Sequence, residues 1–129
     1  MTDQLYSTIS DKTLLRIKLI EKANEFNLEQ VSRGIISIHA RWSGQSIMFG
    51  RSILNLIDTC ESTDFEINII DIDTISPEKQ IELMGHVCNG FFESVWVENG
   101  KIVLNSRNSK GIVELRKFKD NLSEKINKS

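Results

Sequence analysis

Between residues 13 and 26, apolar side chains fall at Leu14, Leu15, Ile17, Leu19, Ile20, Ala23 and Phe26, a spacing that makes one stripe on a helix. Ser10 or Asp11 is placed to cap it, because a short side-chain oxygen can accept from the first free backbone N–H groups. A helix over 11–26 is therefore predicted, with residues 5–9 ahead of it as a short edge strand. Residues 34–39 read Gly-Ile-Ile-Ser-Ile-His, a β-branched apolar run suited to a buried central strand. A second helix is predicted from the loop at 41–44 to about Thr59, where Ile47, Met48, Phe49, Ile53, Leu54, Leu56 and Ile57 give it more than one apolar face. Residues 65–72, carrying Ile67, Ile69, Ile70 and Ile72, predict the next strand. Ser76-Pro77-Glu78 combines a capping hydroxyl, a proline at the first helical position and an acid in the first turn, so a third helix is expected to run to about His86. Asn99-Gly100 between 93–98 and 101–105 predicts a hairpin, since both turn residues tolerate positive φ. A last helix is expected from Lys110 to about Ile126, with Ile112, Val113, Leu115, Phe118, Leu122 and Ile126 facing inward.

The predicted order is (β)αβαβαββα. Alternating βαβ units imply a parallel core, and the final hairpin adds antiparallel strands. At 129 residues one domain is expected over 1–129, long enough to bury a real core and too short for two. No repeat or linker divides it. The 40% hydrophobic and 26% charged composition is that of an ordinary globular chain. The N-terminus shows no basic-then-apolar run and no apolar stretch is long enough for a bilayer, so a cytoplasmic protein without membrane contact is expected. Cys60 and Cys88 are too far apart for a CxxC pair or a zinc knuckle, and two separate free thiols are expected. A net charge of −2 argues against nucleic-acid binding. That average hides a bias. Asp58, Glu61, Asp64, Glu66, Asp71, Asp73, Glu78 and Glu82 face only one base, Lys79, within 58–82, whereas the last twenty residues lean basic. Such a stretch is either a solvated face or a surface that steers a cationic partner.

Four segments, in order, carry a resemblance. Residues 37–46 read Ser-Ile-His-Ala-Arg-Trp-Ser-Gly-Gln-Ser; Asp71-Ile72-Asp73 ends the next strand; residues 95–101 read Val-Trp-Val-Glu-Asn-Gly-Lys; and Ser109-Lys110-Gly111 precedes the last helix. Together they resemble the thioredoxin family over about 33–124, with the 11–26 helix matching an extra N-terminal element. The resemblance implies a thioredoxin-like three-layer sandwich, an α/β fold with a central mixed sheet of four to five strands flanked by helices. Trp42-Ser43-Gly44-Gln45-Ser46 then takes the place of the family's Trp-Cys-Gly-Pro-Cys loop.

The departures bear on function. The family's chemistry needs a thiolate at the first cysteine position and a resolving thiol three residues on. Ser43 and Ser46 stand there, and a hydroxyl cannot cycle between dithiol and disulfide. Gln45 replaces the intervening proline, Phe92 falls where the family's cis-proline is expected, and Ser37 replaces a buried acid. So many losses together point to a naturally degenerate site with no catalytic residue.

Other candidates weigh little. His39, inside a predicted strand with no acid or cysteine at ligand spacing, reads as a packed structural histidine. Ser43 with His39 or His86 lacks a Gly-x-Ser-x-Gly turn and an orienting acid. Asp71 and Asp73 lack a third oxygen ligand for a metal, and neither metal nor cofactor is expected. Cys88 alone has no resolving partner. Trp42, Phe91 and Phe92 remain open: in this fold the two loops that hold them meet at one end of the sheet, where they form an exposed apolar contact patch or, alternatively, Phe91 or Phe92 fills the space of the missing proline turn.

We therefore expect a non-catalytic protein-binding module. Its contact residues are either Trp42, Ser43, Gly44, Gln45, Ser46, Phe91 and Phe92 or the acidic Asp58, Glu61, Asp64 and Glu66. The sharper form is an inhibitor of the bacterial immunity-protein kind that caps a cationic toxin such as a nuclease. The alternative is a divergent thiol oxidoreductase or assembly chaperone using Cys88.

Overall fold

The computed structural model describes residues 4–106 and 111–128. One helical turn, α1 (Asp11–Leu14), leads into strand β1 (Ile17–Leu19). Then follow β2 (Arg33–His39), α2 (Gly44–Thr59), β3 (Glu66–Asp71), α3 (Pro77–Met84), β4 (Ser94–Glu98), β5 (Lys101–Asn105) and α4 (Ile112–Asn127). The sheet order is β1-β3-β2-β4-β5. β3 runs parallel to both β1 and β2, while β4 is antiparallel to β2 and β5.

Period-two alternation sorts the strands into two cores. Ile35, Ile67, Ile69 and Trp96 point to the face covered by α2 and α4, meeting Phe49, Ile53, Leu54, Ile57, Leu115, Phe118 and Leu122. Ile36, Ile38, Ile70, Val95 and Val97 point to the opposite face, covered by Leu83 and Met84 of α3 and by Ala23, Phe26 and Val31. Three layers result, with the strand order and crossovers of a thioredoxin-like fold.

The Asn99-Gly100 turn forms as expected, with φ of 52° and 74°. Its tip is tied down where Asn99 N donates to Ser32 O and Gly100 N to Val31 O. Ser76 caps α3, and Gly85 (φ 85°) ends it in the left-handed conformation. Arg33, the first residue of β2, reaches the far end of α4. Its Nη2 donates to the carbonyls of Lys125, Ile126 and Lys128 at 2.7, 3.0 and 2.7 Å, while Nη1 donates to Asp64 O. A cation therefore meets the negative end of that helix.

The N-terminal prediction fails. There is no helix over 11–26: only one turn forms, and Ile17, Lys18 and Leu19 pair with Ile67, Asn68 and Ile69 as the sheet's edge strand. Pairing with an otherwise bare edge of β3 outweighs a helical spacing whose members Leu14, Leu15 and Leu19 end up exposed. Arg16 fixes the arrangement, with its guanidinium 4.6 Å over the Phe65 ring and donating to Thr63 O and Phe65 O. Residues 5–9 are not a strand either. Gln4–Tyr6 is a 3-10 turn that plugs Leu5 into the α2 face of the core. In α4, Leu115, Phe118, Leu122 and Ile126 are buried as predicted, but Ile112 and Val113 are 71% and 62% exposed. The helix starts at Ile112, and Ser109 and Lys110 lie outside the described residues.

Candidate functional site

The segment between β2 and α2 lies at the C-terminal end of the parallel strands, where the 85–93 connection crosses it. Ser43 is the N-cap of α2: its Oγ accepts from Ser46 N at 3.2 Å and donates to Gly90 O at 2.6 Å. Ser46, fully buried, accepts from Ala40 N at 3.0 Å and lies 2.8 Å from His39 Nδ1. Both hydroxyls are thus held by named partners, some in the loop and others in β2 and the 85–93 connection. Ser37 is similarly occupied, with its Oγ 2.7 Å from that of Ser94, which in turn donates to Phe92 O. Gly44 and Gln45 are exposed.

Trp42 is 65% exposed and leans on the crossing loop. A Cβ on Gly90 would sit 3.3 Å from Trp42 Cη2 and from Ser43 Oγ, and Gly90 has φ 84°, so this close approach needs glycine. Phe91 is half-buried, with its ring 6.0 Å from that of Phe49. Phe92 corrects one branch of the sequence expectation. It is 1% exposed and belongs to the core, so it offers no surface to a partner. The backbone turns left-handed at this residue (φ 56°) and drives the ring inward, edge-on to His39 at 5.7 Å. Gly50 makes room for it, since a Cβ there would lie 2.7 Å from Phe92 Cδ1 and 2.4 Å from Leu5 Cδ1.

His39 is 3% exposed and held between Ser46 and Phe92. Beside it a cleft of about 290 Å³ opens between Tyr6, Ile20 and Ile69, with Arg41 Nε 3.6 Å from Asp71 Oδ2. Asp71 also caps the 3-10 turn Ile72–Thr74 through Asp73 N.

The acidic residues are divided. Asp58, Glu61, Asp64 and Glu66 flank the C-terminal end of α2 and the start of β3, whereas Ser43 caps the opposite end of α2. Sixteen helical residues span about 24 Å, so the two candidate surfaces cannot form one small interface. Asp58 accepts from Ser10 N, Ser10 Oγ and Thr13 Oγ1, and these bonds hold its carboxyl below the usual range. Glu66 pairs with Lys18 at 2.8 Å. Glu61 and Asp64 are exposed.

Both cysteines are free thiols. Cys60 is half-buried and donates to Leu56 O, and burial pushes its thiol up. Cys88 is 7% exposed; burial first, and the Glu93 carboxylate second, push its thiol strongly up. Glu93 was missed by sequence reasoning. It is buried, accepting from Asn89 N at 2.6 Å and Phe91 N at 3.0 Å. A lone acid in an apolar run just before a strand was the available signal.

No family model matches this sequence, and no curated protein does. Among solved structures, a thioredoxin of Malassezia sympodialis (Mala s 13), described as a member of a new pan-allergen family, is 22% identical, with 80% of this chain and 90% of that one covered and a TM-score of 0.49. Among the described residues, no helix is long and apolar enough to cross a membrane.

Proposed function

We propose that this chain is a protein-interaction module on a thioredoxin-like fold, without thiol–disulfide exchange at its loop. The observation that carries the reading is the fate of the two hydroxyls. Ser43 caps α2 and donates to Gly90 O, while Ser46 accepts from Ala40 N and bonds His39, so they act as structural pins and not as nucleophiles. The contact surface we favour is the loop end, where exposed Trp42 leans on Gly90, next in sequence to half-buried Phe91, and Asp73 is also exposed. Tryptophan and acid together suit a partner with an apolar notch rimmed by cations.

The sharper reading is an inhibitor or immunity protein that caps a cationic toxin such as a nuclease. The surplus of acids over 58–82 supports it, although Asp58 and Glu66 are engaged internally, which leaves Glu61 and Asp64 as the exposed acids of that corner without a side-chain partner among the described residues. The test is neutralisation of the protein encoded beside this gene, measured at two salt concentrations. Trp42→Ala is expected to weaken capture at least tenfold, and the Glu61→Lys/Asp64→Lys pair to change it less. The opposite ranking would move the contact to the acidic corner. Catalytic reduction of insulin disulfides that disappears in Cys88→Ala would replace the module reading with the thiol oxidoreductase alternative.

A further inference from the structure

We propose that His86, Cys88 and Glu93 form a binding site for a single divalent transition-metal cation of the zinc class. His86 follows the left-handed end of α3, Cys88 lies in the core beneath that helix, and Glu93 immediately precedes β4. Their ligating atoms (an imidazole nitrogen, Sγ and a carboxylate oxygen) all lie within 4.8 Å of one another. Metal–ligand bonds of about 2.0–2.3 Å place tetrahedral neighbours roughly 3.3–3.8 Å apart. The three atoms must draw together by up to roughly 1 Å to reach that spacing, and His86 is the least buried of the three.

Three features prepare the site. His86 Nδ1 lies 3.0 Å from Val87 O, so its proton is donated there and the lone pair is left on Nε2. That Nε2 is buried and has no hydrogen-bond partner, a costly state that an ion relieves. Glu93 is 4% exposed, and its contacts are backbone N–H groups of Asn89 and Phe91, with no lysine or arginine paired to it among the described residues. A buried carboxylate without a counter-charge is expensive, and a cation supplies one. The backbones are fixed independently, with Cys88 N donating to Gln80 Oε1 at 2.8 Å and Ile38 N to Glu93 O at 2.9 Å. Nitrogen, sulfur and oxygen together favour zinc or cobalt(II) over calcium or magnesium, which take oxygen shells. Coordination releases the Cys88 thiol proton to solvent, and the ion's charge reverses the electrostatic penalty on the thiolate.

The experiment uses the full chain stripped with a chelator. Zinc is titrated against a chromophoric competitor, and cobalt(II) is followed for its near-ultraviolet thiolate charge-transfer band. One equivalent is expected to bind. Cys88→Ser is expected to abolish the cobalt band while Cys60→Ser retains it, and His86→Ala to weaken zinc by about tenfold or more. His86 is only half-buried, so that variant keeps the core intact, as circular dichroism would verify. Absence of one-to-one binding, a band that survives Cys88→Ser, or affinity unchanged in His86→Ala would each overturn the assignment.

Discussion

Replacing Phe92 separates a core ring from a surface aromatic, and the structure sets the size of the effect. The ring is 1% exposed, packs edge-on to His39 and fills space that Gly50 leaves open. Phe92→Ala is therefore expected to cost about 3–5 kcal/mol, from lost transfer energy plus the void left behind. An exposed aromatic in a contact patch would cost within about 0.5 kcal/mol. A second variant tests the backbone. At φ 56° a residue with a Cβ bears about 1–2 kcal/mol of left-handed strain, which alanine keeps and glycine relieves. Glycine's larger unfolded-state entropy offsets roughly 0.5–1 kcal/mol of that gain. Phe92→Gly is thus expected to be more stable than Phe92→Ala by up to about 1.5 kcal/mol, reversing the usual order. Urea unfolding followed by circular dichroism, at equal m-values, measures both differences. A Phe92→Ala loss under about 1 kcal/mol would refute the core placement, and a glycine variant less stable than alanine would refute the left-handed backbone.

Ser43→Ala removes the α2 cap and leaves Gly90 O without its donor; a loss of about 1–2 kcal/mol is expected in the urea midpoint. Gly34→Ala would put a Cβ 2.6 Å from Glu66 O and 2.9 Å from Glu66 Cβ, forcing β2 and β3 apart; a loss of about 3 kcal/mol, read as a lowered thermal midpoint, is expected. Asp58 is held below the usual carboxylate range, first by its bond from Ser10 and then by that from Thr13. Its folded-state pKa lies under its unfolded one, so its contribution is present above the ordinary aspartate value and is lost as pH falls through the folded value. Asp58→Asn is accordingly expected to flatten the decline of stability below about pH 4, checked by denaturation midpoints across that range.

Most of the fold was legible because its signals were local. The run at 34–39, Ser76-Pro77 and Asn99-Gly100 each specify an element through capping, φ preference or a two-residue period. The 11–26 segment was not legible for the opposite reason. Its apolar spacing suits a helix, and only the open edge of β3 makes three residues of strand the better use of the backbone. At the loop, the residue types showed that no thiol stood at 43 or 46, but not that both hydroxyls would be engaged. Those partners, Gly90 and His39, come from other elements. Phe92 was undecidable because a positive φ at phenylalanine has no sequence signature, although Gly50 inside a helix was a hint of close approach.

Arg33 ties the start of a central strand to carbonyls of the last turn and C-cap of α4, 92 to 95 positions later. No covalent link closes that span, yet the last turn of α4 cannot fray without stripping the guanidinium of three acceptors at once. Opening at one end of the domain is thereby felt at the edge of the strand that leads to Ser43. The helix terminus and the sheet beneath the loop are therefore expected to open as one cooperative unit under local unfolding, and not as two independent ones.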